Sequence, residues 1–308
     1  MTRLVRTDRH TTPQQRRGTI PIRRGIRAHE SEWQNLLPHE RYRERVLAAV
    51  FSLGDPLLAF ESAALVHGLP VFAEPKDVHV FVTVAGHSYR HGDVLSHTGV
   101  DGRREVRVSG IRVTDLVDTV VDLIRVLPLA FGVAVVDAAL RGGVRLTDLE
   151  DRLRTQRNPR GTARAWDALR RSAALSESVL ESVSRVVIQL LGFAAPELQV
   201  EFTVEDGVRR ADFLWRGAGI IGEADGASKY LDVPAAQTAA RIRDERRREV
   251  QLQRLVTRIA RWEWADVIVP ARLERILADA GVPRVAPADP RVVAAVSNAV
   301  RTVRASRR

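Results

Sequence analysis

Arg210-Ala-Asp-Phe-Leu-Trp-Arg-Gly-Ala-Gly-Ile-Ile-Gly-Glu-Ala-Asp-Gly-Ala-Ser-Lys229 reads as a β-hairpin. Two short apolar runs, 211–215 and 220–225, flank four turn formers, Arg216-Gly217-Ala218-Gly219. Simple closure of that loop sets Trp215 opposite Ile220. The same register sets Asp212 opposite Glu223, with Cβ atoms about 4.5–5.5 Å apart. Asp225 lies two residues beyond Glu223 and shares its face, roughly 6–7 Å along the strand. Three acids on one face repel one another, and carboxylate oxygens suit a hard cation, Mg²⁺ or Mn²⁺. A solvated polar face is the plainer reading. The apolar neighbours Phe213, Ile220 and Ile221 speak instead for a buried sheet.

Lys229 stands out by composition. Of 48 basic residues only Lys76 and Lys229 are lysine. A compact ammonium can lose its proton or hold a water where a guanidinium cannot. Chance survival of one lysine is the alternative.

With these residues in view, Asp212-x10-Glu223-x-Asp225-Gly-x-x-Lys229 resembles the core of the PD-(D/E)xK nuclease superfamily. The likeness is to the branch similar to very-short-patch-repair endonucleases, found as a C-terminal domain in actinobacterial proteins. The resemblance implies an αβββαβ fold, a catalytic metal held by Asp212 and Glu223, and a cationic group near the scissile phosphate. The usual third element is Glu-x-Lys. Here Asp225 stands at the lysine position, and Lys229 follows four residues later. Glu181 has two readings. The superfamily often aims a glutamate of the preceding helix at the metal, whereas Ser178-x-x-Glu181 is also a capping box.

Around this unit the sequence predicts its remaining parts. A helix opens at Ser178 and runs to 191. A meander of 198–204, 208–215 and 220–225 follows, then an Arg-rich helix over 235–255, a strand over 256–262 and a last helix over 271–280. Arg243, Arg247, Arg254 and Arg258 roughly line one side of the Arg-rich stretch and would track a phosphate backbone. Gln251 or Gln253 could reach the acids, as a helix glutamine does in some nucleases of this type.

The whole chain has 308 residues, 45% hydrophobic, enough for two domains. Net charge is +10, but it is concentrated. Residues 1–30 carry +6, 241–261 carry +5 and 291–308 carry +5, leaving −6 for the rest. Such clustering is the footprint of a nucleic-acid partner, with solvated tails as the alternative. There is no cysteine, so disulfides, thiolate catalysis and Cys-ligated zinc are excluded. No long apolar run or secretory leader is visible, and the expectation is a cytoplasmic protein without membrane contact.

The N-terminal half predicts a strand pair around Pro21, a helix over 40–53, a buried strand at 57–60, and a small helix over 62–67. A half-buried strand at 77–84 follows, then strands at 94–100, 106–109 and 111–113 and a helix from Thr114 to 127. Further helices start at Pro128 and at a Thr147-x-x-Glu150 capping box. Asn158-Pro-Arg-Gly161 reads as a linker before a helix over 162–174. Arg23-Arg-Gly-Ile26, Glu61-Ser-Ala-Ala-Leu-Val-His-Gly-Leu-Pro70, Val78-His-Val80 and Ser109-Gly-Ile-Arg-Val-Thr-Asp-Leu-Val-Asp-Thr-Val-Val-Asp122 resemble the type IV (AbiE) abortive-infection antitoxin-like proteins. That resemblance covers about residues 20–172. It implies a DNA-binding regulator and a toxin partner. Ser62 and His67 lack a nucleophile elbow and read as a helix cap and a satisfied histidine. Asp122 and Asp137 read as local or arginine-paired acids.

The expected fold class is α+β. A basic arm or degenerate winged-helix remnant (1–45) precedes an antitoxin-like α/β domain (46–172). A three-layer nuclease-like αβββαβ domain (173–285) and a basic tail (286–308) complete the chain. The function expected is a DNA-binding protein with a nuclease-fold domain, a metal-dependent endonuclease of repair or phage and plasmid defence. The alternatives are a non-catalytic antitoxin or regulator and a module that binds a toxin.

Overall fold

The computed structural model describes residues 4–7, 12, 14, 17–83, 86–99, 101–204, 207–226, 256–290 and 296. The chain is α+β. It divides into two compact units, Met1–Val126 with Val144–Ala165 and Leu127–Gly143 with Trp166–Arg308.

In the first unit, β1 (Val5–Arg6), β2 (Thr19–Arg23) and β3 (Ile26–His29) form a small antiparallel sheet in the order β1-β3-β2. The strand pair expected around Pro21 is there, with a register irregularity between Pro21 and Arg23. Helix α1 (Glu30–Asn35) leads to α2 (Pro38–Leu53), whose first turn is fixed by the Leu37 amide donating to Glu40 (2.7 Å). Helix α3 spans Phe60–His67. Strands β4 (Val78–Val82), β5 (Tyr89–His91) and β6 (Val94–Thr98) order as β4-β6-β5, with β4 and β6 parallel. Strands β7 (Glu105–Val108) and β8 (Ile111–Thr114) form a hairpin. Its turn residues, Ser109 and Gly110, both have positive φ, the two-residue turn that matches strand twist.

Leu58 ties these pieces together by bridging both Val80 and Val113. Around it packs a core of Tyr42, Val46, Ala63, Val78 and Val94. Strand β4 is not half-buried as its alternation predicts. Val78 and Val80 face this core, while Phe81 is 6% exposed in a second cluster with Leu57 and Ala59. The segment before α3 therefore covers the other face.

Helix α4 (Leu116–Val126) ends the first stretch of this unit. The chain leaves for α5 (Leu129–Arg141), returns with α6 (Leu146–Thr155), and leaves again within α7 (Thr162–Arg170). The boundary at 172–173 expected from sequence therefore differs from the observed division. The reason is that α5 is buried nearly throughout and its partners lie beyond residue 170. Asp137 of α5 accepts from the Ala173 amide (2.6 Å) and from Arg185 (2.9 Å). The expected capping box at Thr147 does not form. Helix α6 starts two residues earlier, with Arg145 at the N-cap paired to Asp148.

The second unit continues with α8 (Val179–Leu190), β9 (Glu197–Val204), β10 (Gly207–Trp215), β11 (Ile220–Asp225), β12 (Arg258–Glu263), α9 (Trp264–Val267) and α10 (Pro270–Ala280). The sheet order is β12-β11-β10-β9, antiparallel except for the parallel pair β11 and β12. The residues expected as an Arg-rich helix, 235–255, lie outside the described residues. Trp262 anchors the sheet: it is 1% exposed, and its indole N–H donates to Ser184 of α8 (2.8 Å). Gly222 is required beneath it. A Cβ there would sit 2.5 Å from the Trp262 ring and 3.0 Å from Trp215.

Candidate functional site

The hairpin register is the one the four-residue loop predicts. Trp215 pairs Ile220, Leu214 pairs Ile221 and Phe213 pairs Gly222. Arg216–Ala218 form a 3₁₀ turn, closed by Gly219 in the left-handed region. The ladder ends at that pair, and Asp212 and Glu223 are the next residues along the two strands. There Asp212 Oδ2 accepts from the Ala224 amide (2.9 Å).

Glu223 is 3% exposed. Parallel pairing sets it beside Arg261, whose guanidinium lies 3.1 Å from Glu223 Oε2. In the sequence Arg261 is one residue of the basic stretch 241–261 and nothing marks it further. Its place beside Glu223 depends on a parallel register between distant strands, which no local pattern reveals.

Of the capping box expected at Ser178-x-x-Glu181, the N-cap half forms, and the Glu181 carboxylate turns to other donors. The Ser178 hydroxyl accepts from the Glu181 amide (3.1 Å), which is the N-cap of α8. The Glu181 carboxylate accepts from the Glu177 amide (2.8 Å) and from Gln199 Nε2 (2.7 Å). Burial raises its pKa, and the nearby charge of Asp212 raises it further. Glu181 and Asp212 therefore sense each other across α8 and β10.

Asp225 is half-buried at the end of β11, beside Glu263. Among the described residues, no three acids or histidines come close enough to hold one metal ion. The donor chemistry of Asp212, Glu223 and Glu181 is the all-oxygen type that Mg²⁺ or Mn²⁺ takes. The described residues do not complete a site. Lys229, Arg243, Arg247 and Arg254, and with them Gln251 and Gln253, lie outside the described residues. Arg258 opens β12 instead of lying on a helix, because the Thr257 and Arg258 amides both donate to the Gly219 carbonyl. Its guanidinium donates to the Asp279 carbonyl.

The polar residues singled out in the N-terminal half are structural. Ser62 bonds the Tyr42 hydroxyl (2.8 Å) and accepts from the His79 amide (2.8 Å); it lies inside α3 and does not cap it. His67 Nε2 pairs with the Thr114 carbonyl (2.8 Å). Asp122 holds Arg103 through two bonds of 2.9 and 2.8 Å. No helix among the described residues is long and apolar enough to cross a membrane.

No family model matches this chain, and no solved structure does. Two uncharacterized proteins of Mycobacterium tuberculosis, one from each of two strains, are 33% identical to it over 124 residues. The match takes in 40% of this chain and 46% of each relative, so the chain spans about half the length of the curated relatives it matches.

Proposed function

We propose that the protein acts on nucleic acid, with a PD-(D/E)xK-like nuclease fold in its second unit and a candidate catalytic centre at Asp212, Glu223 and Glu181. One observation carries this reading. The ladder of β10 with β11 runs to Phe213–Gly222, and just past it the Asp212 carboxylate accepts from the Ala224 amide, next to Glu223, in a sheet ordered β12-β11-β10-β9, with β11 and β12 parallel and α8 ahead of the meander. The described elements of this unit are consistent with αβββαβ, and the helix expected between β11 and β12 lies outside the described residues. Basic stretches at 1–30, 241–261 and 291–308 supply charge for a phosphate backbone, which predicts binding that weakens steeply with salt.

Asp212 and Glu223, with Asp225 near the strand end, would hold Mg²⁺ or Mn²⁺. When bound, such an ion polarises a water and neutralises phosphate charge. The chain's own residues fix the acids. The Ala224 amide orients Asp212, Arg261 restrains Glu223, and Gln199 orients Glu181. Lys229 or an arginine of 241–258 would supply a cation for the developing charge on the phosphate.

A second reading rests on Arg261. Its guanidinium already neutralises Glu223, and Asp225 stands where the motif has lysine. A non-catalytic antitoxin or regulator using the same fold follows from that pair. One experiment separates the two readings. Supercoiled plasmid is incubated with wild type and with Glu223→Gln in Mg²⁺ or Mn²⁺, and the melting temperature is followed in parallel. Metal-dependent nicking that disappears in Glu223→Gln, with a metal-induced rise in melting temperature, supports the nuclease. Salt-sensitive DNA binding with neither effect supports the regulator.

A further inference from the structure

The first unit contains a cavity of about 880 Å³ that neither reading above uses. It lies between α4, β6 and the segment 157–164. We propose that it binds a phosphorylated nucleoside, with the planar ring against an apolar wall and the phosphates against an arginine rim.

The wall is made by Phe60, Phe81, Leu95 and Val126, with His97 stacked on Phe60 at 3.9 Å between ring centroids. Burial lowers the His97 pKa to about 3, and neighbouring His79 adds to the effect. His97 is therefore a neutral ring beside Phe60, while the Arg103 guanidinium lies over Phe81, 5.2 Å from its centroid. A cavity of this size suits a ligand no larger than a nucleotide.

The rim is cationic by construction. Five arginines line the cavity: Arg103, Arg125, Arg157, Arg160 and Arg164. Two of them are structural. Arg103 is held by Asp122 and by the Asp101 carbonyl (2.7 Å). Arg125 donates to the Arg160 carbonyl (3.0 Å), to the Asn158 carbonyl and to the Gln156 side chain. The remaining carboxylate, Asp101, accepts from the Arg157 and Asn158 amides (3.0 and 3.3 Å). The segment expected as a linker is thus clasped from both sides. Gly161 completes the clasp: its φ is +77°, and a Cβ there would collide with the Arg125 carbonyl.

Both lining acids are thereby committed, and the clasped segment presents Arg157 and Arg160 outward. Their side chains are exposed and make no ion pair or hydrogen bond among the described residues. Other described arginines of this unit face an acid, as in Arg23–Asp93, Arg90–Asp77, Arg107–Asp55 and Arg112–Glu105. Arg164, in the first turn of α7, spends one N–H on the Val126 carbonyl (3.0 Å). Planar guanidiniums on a rigid backbone are suited to phosphate. The cavity lies wholly in the first unit, so this site is independent of the acid centre.

The test is calorimetric titration of the full chain with ATP, adenosine and tripolyphosphate, without divalent cation and at low salt. ATP should bind one per chain. Adenosine and tripolyphosphate should each bind at least about tenfold more weakly, because each engages half of the site. Arg157→Ala/Arg160→Ala should weaken ATP about tenfold or more, the loss of two charge-assisted hydrogen bonds, with an unchanged melting temperature. Val126→Trp, at a position 51% exposed, narrows the cavity with every arginine intact and should also weaken ATP. A 5′-phosphorylated oligonucleotide that displaces ATP assigns the ligand to a strand end; one that does not assigns it to free nucleotide, and both results support the site. No saturable ATP binding, tripolyphosphate binding as tightly as ATP, or full affinity in Arg157→Ala/Arg160→Ala would overturn it.

Discussion

The first unit gathers positive charge around a hollow, and the second gathers negative charge inside a sheet. In the hollow, Arg103 and Arg125 are consumed by Asp122 and by backbone carbonyls, and Arg157 and Arg160 are left facing open space. In the sheet, Asp212, Glu223 and Glu181 draw on the Ala224 and Glu177 amides, on Gln199 and on Arg261. Backbone dipoles absorb much of the surplus in both places, carbonyls for arginine and amides for carboxylate. Local charge density therefore does not locate a binding group. What remains turned outward after the backbone has been served does.

The largest expected effect separates structural from functional arginine. Arg103→Ala leaves Asp122, 2% exposed, without its bidentate partner and should cost about 3–5 kcal/mol in urea unfolding. A loss below 1 kcal/mol, roughly the worth of a surface pair, would place Arg103 with the rim and dissolve the distinction. On the sheet side, Gly222→Ala drives a methyl into Trp262 and Trp215 and should cost about 3 kcal/mol. Near-neutral behaviour there would mean that the acid centre rests on a looser frame than the rings imply.

A smaller effect concerns pH. His97 stays neutral in the fold, down to about 3, while the unfolded chain protonates below its usual value of 6.5. Its contribution is complete above pH 6.5 and is lost as pH falls. Between pH 6.5 and 5 the loss should reach about 2 kcal/mol, and His97→Gln should flatten the stability profile by that amount. An unchanged slope would mean that the ring is not shielded. The smallest effect is on Arg157→Ala/Arg160→Ala, whose stability should stay within about 0.5 kcal/mol of wild type. A larger loss would mean that the rim holds the fold together as well as facing outward.

The hairpin was legible because four turn formers between two apolar runs allow one simple closure, and that closure gives the register from Trp215–Ile220 to Phe213–Gly222. Asp122 and Asp137 were legible because an acid on an apolar helix face needs a cation. The partner of Glu223 was not, since β12 returns from residue 258 and a parallel register leaves no local trace. Nor was the clasp on 156–161. Its bonds join residues 31 to 57 apart, and most of them meet a backbone carbonyl or amide at the segment's end, which no residue type marks. Asn-Pro and Gly in that segment read as a linker, and long-range polar contacts clasp it to the first unit. The early start of α6 followed from Arg145 pairing with Asp148, which competes with the Thr147 cap.

The excursion of the chain into the second unit at 127–143 has a consequence for synthesis. Helix α5 leaves the ribosome with Phe131, Val133, Val135 and Val136 bare, because their cover arrives with α8. At about 5–20 residues per second that interval lasts about 2–10 s. Residues 144–165, which the first unit needs, emerge within the same interval. Neither half can close in strict order of translation. The nascent chain should hold a sticky, half-built intermediate for seconds, which makes it a natural client for a holdase at the tunnel exit.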